Sequence, residues 1–101
     1  MTTRYATSSD STRIAFDLTA AGTPLLLPHG GGGSRADWHE NGYVARLQNE
    51  FTVIAVDLRG HGESNKPADP AMYATGKMGD DILAVADTCG VDRFILWEVA
   101  Q

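Results

Sequence analysis

The chain has 101 residues, 43% of them hydrophobic and 21% charged, with a formal net charge of −5. That length holds one small domain with a modest core, and the composition excludes a disordered chain. An acidic balance without a basic block excludes nucleic acid and anionic membrane surfaces as natural partners.

In chain order, Tyr5 and Ala6 precede a polar turn, Ser8-Ser9-Asp10-Ser11. Ile14, Phe16 and Leu18 then alternate with Ala15 and Asp17, the period-2 pattern of a half-buried strand. Residues 4–18 are expected to form an antiparallel hairpin at a sheet edge. A turn at residues 20–24 leads into Leu25-Leu26-Leu27, a short buried strand ended by Pro28. His29 and four glycines, Gly30-Gly31-Gly32-Gly33, follow directly. A helix is expected next, with Tyr43, Val44 and Leu47 on one narrow face. Ser34 and Asp37 have capping-box spacing, Asn41 is a second candidate cap, and Asn49 is placed to end the helix in a left-handed turn.

Phe51–Val56 is a nearly continuous apolar run, the mark of a strand buried on both faces of a parallel sheet. It ends in Asp57-Leu58-Arg59-Gly60-His61-Gly62-Glu63-Ser64. A second helix carries Met78, Ile82, Val85 and Cys89 at i, i+4, i+7 and i+11, with Leu83 and Ala86 widening the stripe and Gly90 as its C′ residue. Gly76 and Gly79 weaken its first turns, by up to ~1 kcal/mol each relative to Ala. Residues 94–97 make a last short strand. Strands alternating with helices give a parallel sheet with right-handed crossovers, so the fold class is α/β.

A strand running into a glycine loop is the start of a site, because ligands collect at the carboxyl ends of the strands in such sheets. Backbone N–H groups in a loop free of bulky side chains can stabilise an anion. Phosphate is a poor fit. No lysine follows Gly33 as a P-loop requires, and G-x-G-x-x-G fails from Gly30 and from Gly60. The three histidines have no metal-ligand spacing with Cys89. No cofactor and no metal are expected.

The order of elements and their loops resembles the first half of an α/β-hydrolase-fold enzyme. The leucine strand with His29-Gly30 resembles that family's oxyanion loop, and Trp38 stands at a distance from it that many members share. Asp57-x-Arg59-Gly60-x-Gly62-x-Ser64 resembles the turn after the next strand. The helix ending at Gly90-Val91-Asp92-Arg93, with residues 94–97, resembles the approach to the nucleophile elbow. The resemblance implies a partial α/β-hydrolase fold, one incomplete domain over residues 1–101, made of an N-terminal antiparallel hairpin and a parallel βαβαβ sheet. It places the leucine strand between Phe51–Val56 and residues 94–97.

In the family a Ser, Asp or Cys sits on a sharp G-x-nucleophile-x-G turn, activated by a His that an acid orients. The resemblance assigns the oxyanion loop to His29, Gly30, Gly31 and Gly32, with the Gly31 N–H as half of the hole, and makes Trp38 a possible pocket residue. The chain departs from the pattern at the elbow. Glu98 stands where its first glycine belongs, and Ala100, at the nucleophile position, has no nucleophilic atom. No catalytic residue is therefore assigned, and the chain reads as a hydrolase half truncated at the elbow.

The remaining candidates have structural readings. His29 hydrogen-bonds backbone to hold its loop, His61 serves its own loop, and His39 is a surface residue. Asp57 and Arg59 brace their turn and its neighbour. Ser64 is a loop or cap residue, and Cys89 a core thiol. One cysteine closes no internal disulfide. No apolar run approaches the ~20 residues of a membrane span, and residues 1–10 lack a signal-peptide core, so a cytoplasmic location is expected. The lineage acts on small organic substrates: esters, amides, epoxides or activated carbon–carbon bonds. The alternative is a non-catalytic interaction module, with self-association through the exposed last strand.

Overall fold

The computed structural model describes residues 2–19, 22–29 and 33–97. Five strands form one sheet in the order β1-β2-β4-β3-β5. β1 (Arg4–Thr7) and β2 (Arg13–Thr19) form the expected antiparallel edge hairpin, with Ala6 opposite Ile14. Its polar turn closes through the Ser11 N–H, which donates to the Ser8 carbonyl at 2.9 Å. β2 continues antiparallel onto β4 (Phe51–Val56), pairing Phe16 with Val56. β4 runs parallel to β3 (Thr23–Pro28), with Leu26 opposite Ile54 and Pro28 opposite Val56. β3 is parallel to β5 (Ile95–Leu96) on its other side, so the leucine strand is interior, as expected.

The alternation of side chains divides the core into two layers. Ile14, Phe16, Leu26, Ile54 and Val56 face one way, under Ile82 and Val85. Leu25, Leu27, Val53 and Ala55 face the other way, under Trp38 and Val44. Both central strands are thus buried on both faces, which is why their sequences are apolar without a gap.

The helices differ from expectation in three places. The first helix is broken into α1 (Ala36–Glu40) and α2 (Tyr43–Leu47) by Gly42 in the left-handed region at φ +81°. Asn41 ends α1 rather than starting a helix, its N–H donating to the Asp37 carbonyl at 3.0 Å. Ser11, at φ +72°, is the one described non-glycine with positive φ, so Asn49 makes no left-handed turn. The chain leaves α2 instead through the Glu50 N–H, which donates to the Leu47 carbonyl. Half of the capping box forms: the Asp37 carboxylate accepts from the Ser34 N–H at 3.3 Å.

α3 (Thr75–Thr88) is the expected second helix. It ends in a Schellman motif, with Gly90 at φ +70°, its N–H on the Asp87 carbonyl and the Val91 N–H on the Ala86 carbonyl. Its buried face is Ile82, Val85 and Ala86, whereas Met78 and Leu83 are exposed. The stripe is narrower than expected because Asp81, an acid, occupies one of its fully buried positions. Among the described residues no helix is long and apolar enough to cross a membrane.

Candidate functional site

Because β3 and β4 are parallel and in register at their ends, the loops after Pro28 and after Val56 emerge side by side at the carboxyl edge of the sheet. The first carries the glycines; the second is the turn from Asp57 to Ser64. Gly30, Gly31 and Gly32 lie outside the described residues, as do Glu98 and Ala100. Their two flanks are described.

His29 is buried, and its Nε2 accepts from the Leu58 N–H at 3.0 Å. An Nε2 that accepts carries no proton, so His29 holds the loop as a neutral ring. His61 packs edge-on against it with centroids 4.9 Å apart. Its Nδ1 lies 3.0 Å from the Arg59 carbonyl, which fixes the Nδ1–H tautomer. Both histidines thus serve the loops.

Asp57 is 1% exposed. Its Oδ1 accepts from the Arg35 N–H at 2.7 Å, and its Oδ2 from the Glu63 N–H at 2.9 Å and from the Arg35 guanidinium. Gly62 is required beside it. Its φ is +51°, and a Cβ there would lie 2.3 Å from the Asp57 carboxylate. The Ser64 Oγ is buried, accepting from the Ala15 N–H at 2.7 Å and donating to the Asp57 carbonyl at 2.6 Å. A hydroxyl so committed is not a nucleophile.

Arg59 points away from the edge, into the layer beneath α3. Its Nε and Nη2 bind the two Asp81 oxygens at 2.7 and 2.5 Å, and Nη1 reaches Asp10 at 2.9 Å. Hydrogen bonds to Asp81, and then to Asp10, raise the Arg59 pKa against the opposing effect of burial. In return Arg59 holds the Asp10 carboxyl well below the usual carboxylate range. Asp81 was not singled out from the sequence. Its signal was an acid three residues after Met78 and four before Val85, on the apolar face.

A cleft of about 370 Å³ opens between α1 and the Asp57 turn, lined by Asp17, Ser34, Arg35, His39 and Glu63 among others. His39 is not a plain surface residue. Its Nε2 lies 2.9 Å from Asp17 Oδ1, and Arg35 Nε binds Asp17 Oδ2 at 2.9 Å. Burial disfavours the charge on Arg35, but the hydrogen bonds it donates to Glu63 and Asp17 outweigh it and raise its pKa. The sequence hint was Asp17 itself, on a strand face shared with the fully buried Ala15.

Trp38, the expected pocket residue, is 3% exposed and meets Tyr43 and Trp97 with ring centroids at 5.2 and 5.8 Å. Its Nε1 is buried without a hydrogen-bond partner among the described residues. Cys89 is half-buried, and burial pushes its thiol pKa up. Among the described residues no three His, Cys, Asp or Glu side chains gather as a metal site.

An antiparallel hairpin continuing into a parallel sheet, with His29 and the Asp57 turn at its carboxyl edge, matches part of an α/β-hydrolase fold. The chain belongs to that family: residues 23–97 match the alpha/beta hydrolase fold model. It is 45% identical over 76 residues to an uncharacterized protein of Mycobacterium tuberculosis, an alignment covering 74% of this chain and 22% of that protein. A fluoroacetate dehalogenase of a Burkholderia species is 38% identical, covering 75% of this chain and 25% of the enzyme. A soluble epoxide hydrolase of a Corynebacterium species is 35% identical, covering 80% and 27%. Among solved structures, the bottromycin epimerase BotH superposes with a TM-score of 0.87 at 28% identity, over 97% of this chain and 39% of that one. An alpha/beta hydrolase of Sphaerobacter thermophilus gives 0.81 at 32% identity, over 94% and 35%. The chain thus spans about a quarter of the length of these curated relatives.

Proposed function

We propose that the chain is the oxyanion-loop part of an α/β hydrolase acting on a small organic substrate, an ester, amide, epoxide or halide-bearing acid. Residues 1–101 make up one unit of that domain. The Gly31 N–H supplies half of the anion-stabilising pair, with His29 and Gly30 setting its approach and Gly32 beside it. Such donors act on charge that develops in the transition state, where a dry and preorganised N–H is worth most. The observation that carries the reading is the parallel register of β3 and β4, which brings His29, the residue before the glycines, out beside the Asp57 turn at the sheet's carboxyl edge. Relatives named as an epoxide hydrolase and a fluoroacetate dehalogenase favour hydrolysis at a small electrophilic carbon. The epimerase among the structural neighbours is a reminder that chemistry belongs to the site and not to the fold.

Neither residue at a nucleophile-like position serves as one. Ser64 is committed to backbone, and Ala100 has no reactive atom. The covalent step is therefore not part of what this stretch contributes. Titrating the 15N-labelled chain with acetate tests the reading. The amides of Gly31 and Gly32 are expected to shift saturably, and a titration that moves other amides but leaves residues 30–33 still counts against it.

A second reading, an interaction module, is favoured by β5. Ile95 and Leu96 of β5 and Trp97 just after it are 48%, 45% and 44% exposed, and among the described residues β5 pairs on one side only. Such an edge offers unpaired N–H and C=O groups to another chain. The Trp97 N–H points inward to the Leu26 carbonyl, so by alternation the Leu96 N–H points out. Leu96→Pro is expected to abolish self-association in sedimentation while leaving the β3 pairing intact; dimers that survive it would place the contact elsewhere.

A further inference from the structure

We infer that Asp57 is a positioning residue, which with His29 pins the two ends of the glycine loop to a single turn so that they move as one body. The purpose assigned to this clamp rests on the oxyanion-loop reading; the clamp itself rests on described atoms. From His29 to Arg35 the chain takes six steps, a reach of up to ~20 Å when extended. Glycines lose the most conformational freedom on ordering, so holding the ends of such a run matters most. Two hydrogen bonds hold them from outside. The Leu58 N–H donates to His29 Nε2 at 3.0 Å, and Asp57 Oδ1 accepts from the Arg35 N–H at 2.7 Å. The two anchors are consecutive residues, so one peptide unit at the end of β4 fixes where the loop leaves β3 and where it enters α1.

The anchor is itself held. The second Asp57 oxygen takes the Glu63 N–H and the Arg35 guanidinium, and that guanidinium also binds Asp17 and Glu63 at 2.9 Å each. Gly62 lies against the carboxylate where no Cβ fits. A buried carboxylate with this many donors cannot swing out without leaving the Arg35 charge short of a partner. His29 answers from the other end, and only as a neutral ring. An imidazolium would present an N–H to the Leu58 N–H.

Amide hydrogen exchange in the full 15N-labelled chain tests the coupling. Rates at Arg35 and Leu58 are taken relative to the Ile54 amide, on β4 between β2 and β3 in the interior of the sheet. His29→Ala is expected to speed exchange at Arg35, at the far end of the loop, and Asp57→Ala to speed it at Leu58. Each change should be about tenfold or more, as for loss of one buried hydrogen bond. His29→Gln keeps an acceptor near Nε2 and should restore the slow rate. Val85→Ala destabilises the opposite layer and should leave both ratios unchanged. If Asp57→Ala does not fold, the His29 pair alone decides. Acceleration confined to the amide that lost its own partner would overturn the inference, as would a His29→Gln variant no slower than His29→Ala. Coupled ends in a chain whose glycine amides ignore acetate would keep the clamp and remove the oxyanion reading.

Discussion

Asp81→Asn removes one charge from the most deeply buried ion pair in the fold. Arg59 and Asp81 have side-chain exposures of 1% and 0% and meet through two hydrogen bonds, at 2.7 and 2.5 Å. Breaking a buried pair from one side costs ~3–5 kcal/mol, because the surviving charge stays desolvated. Asp10 and the Met72 carbonyl still touch the guanidinium, at 2.9 and 2.5 Å, which places the expected loss at the lower end, ~3 kcal/mol. A domain of this length has roughly 5–15 kcal/mol in all. Urea unfolding at a slope of ~1–3 kcal/mol/M should show the midpoint falling by about 1–3 M. The double variant Arg59→Met/Asp81→Leu should recover much of that loss, since replacing both members of a pair by apolar groups is often neutral. A single-variant loss below ~1 kcal/mol, or losses that simply add in the double, would refute the assignment of this pair as the tie between the Asp57 turn and α3.

Gly62→Ala is expected to destabilise by at least ~1–2 kcal/mol from its left-handed backbone alone, with the clash at Asp57 in addition. Gly79→Ala, where a Cβ meets nothing within 4 Å, should stabilise α3 by up to ~1 kcal/mol in the same urea assay. Acid sensitivity follows from Asp10. Its pKa is lower folded than unfolded, so its contribution is complete above the ordinary carboxylate pKa near ~4 and is lost as pH falls toward the folded value. Asp10→Asn should therefore flatten the fall in urea midpoint below that pH. Cys89 has the opposite sign. Its raised pKa favours the neutral thiol in the fold, a contribution lost as pH climbs through the folded value, and alkylation by iodoacetamide near neutral pH should be slow until urea unfolds the chain.

Strand number was legible in the sequence because each strand has a local signature, while the strand order followed from the family resemblance. Leu25-Leu26-Leu27 and Phe51–Val56 are apolar on both faces, and Ile14, Phe16 and Leu18 alternate. The bracing roles of His29, Asp57 and Arg59 and the loop role of Ser64 also followed from their place in tight loops, and their hydrogen bonds agree. What was not legible depends on contacts far apart in the chain. The pairing of Asp81 with Arg59 links residues 22 apart, and Asp17 with His39 likewise. Asp81 stood on a helix face that pattern marks as buried, Asp17 on the strand face it marks as polar, and pattern does not say which distant cation answers either. The break between α1 and α2 turned on Gly42, whose left-handed backbone ends one short helix and starts another. Asn49 had the right chemistry for a left-handed turn and a backbone that did not need one.

The central claim is that this stretch supplies anion-binding backbone to an α/β hydrolase and no nucleophile of its own. The most direct measurement is hydrolysis of p-nitrophenyl acetate by the purified chain, beside Ser64→Ala, Ser34→Ala and His39→Ala variants. The expected result is a rate indistinguishable from buffer for all four proteins. Turnover by the unmodified chain that disappears in Ser34→Ala or His39→Ala would put a working nucleophile in the Asp17–His39 cleft, and turnover lost in Ser64→Ala would put it in the Asp57 turn; either result contradicts the account.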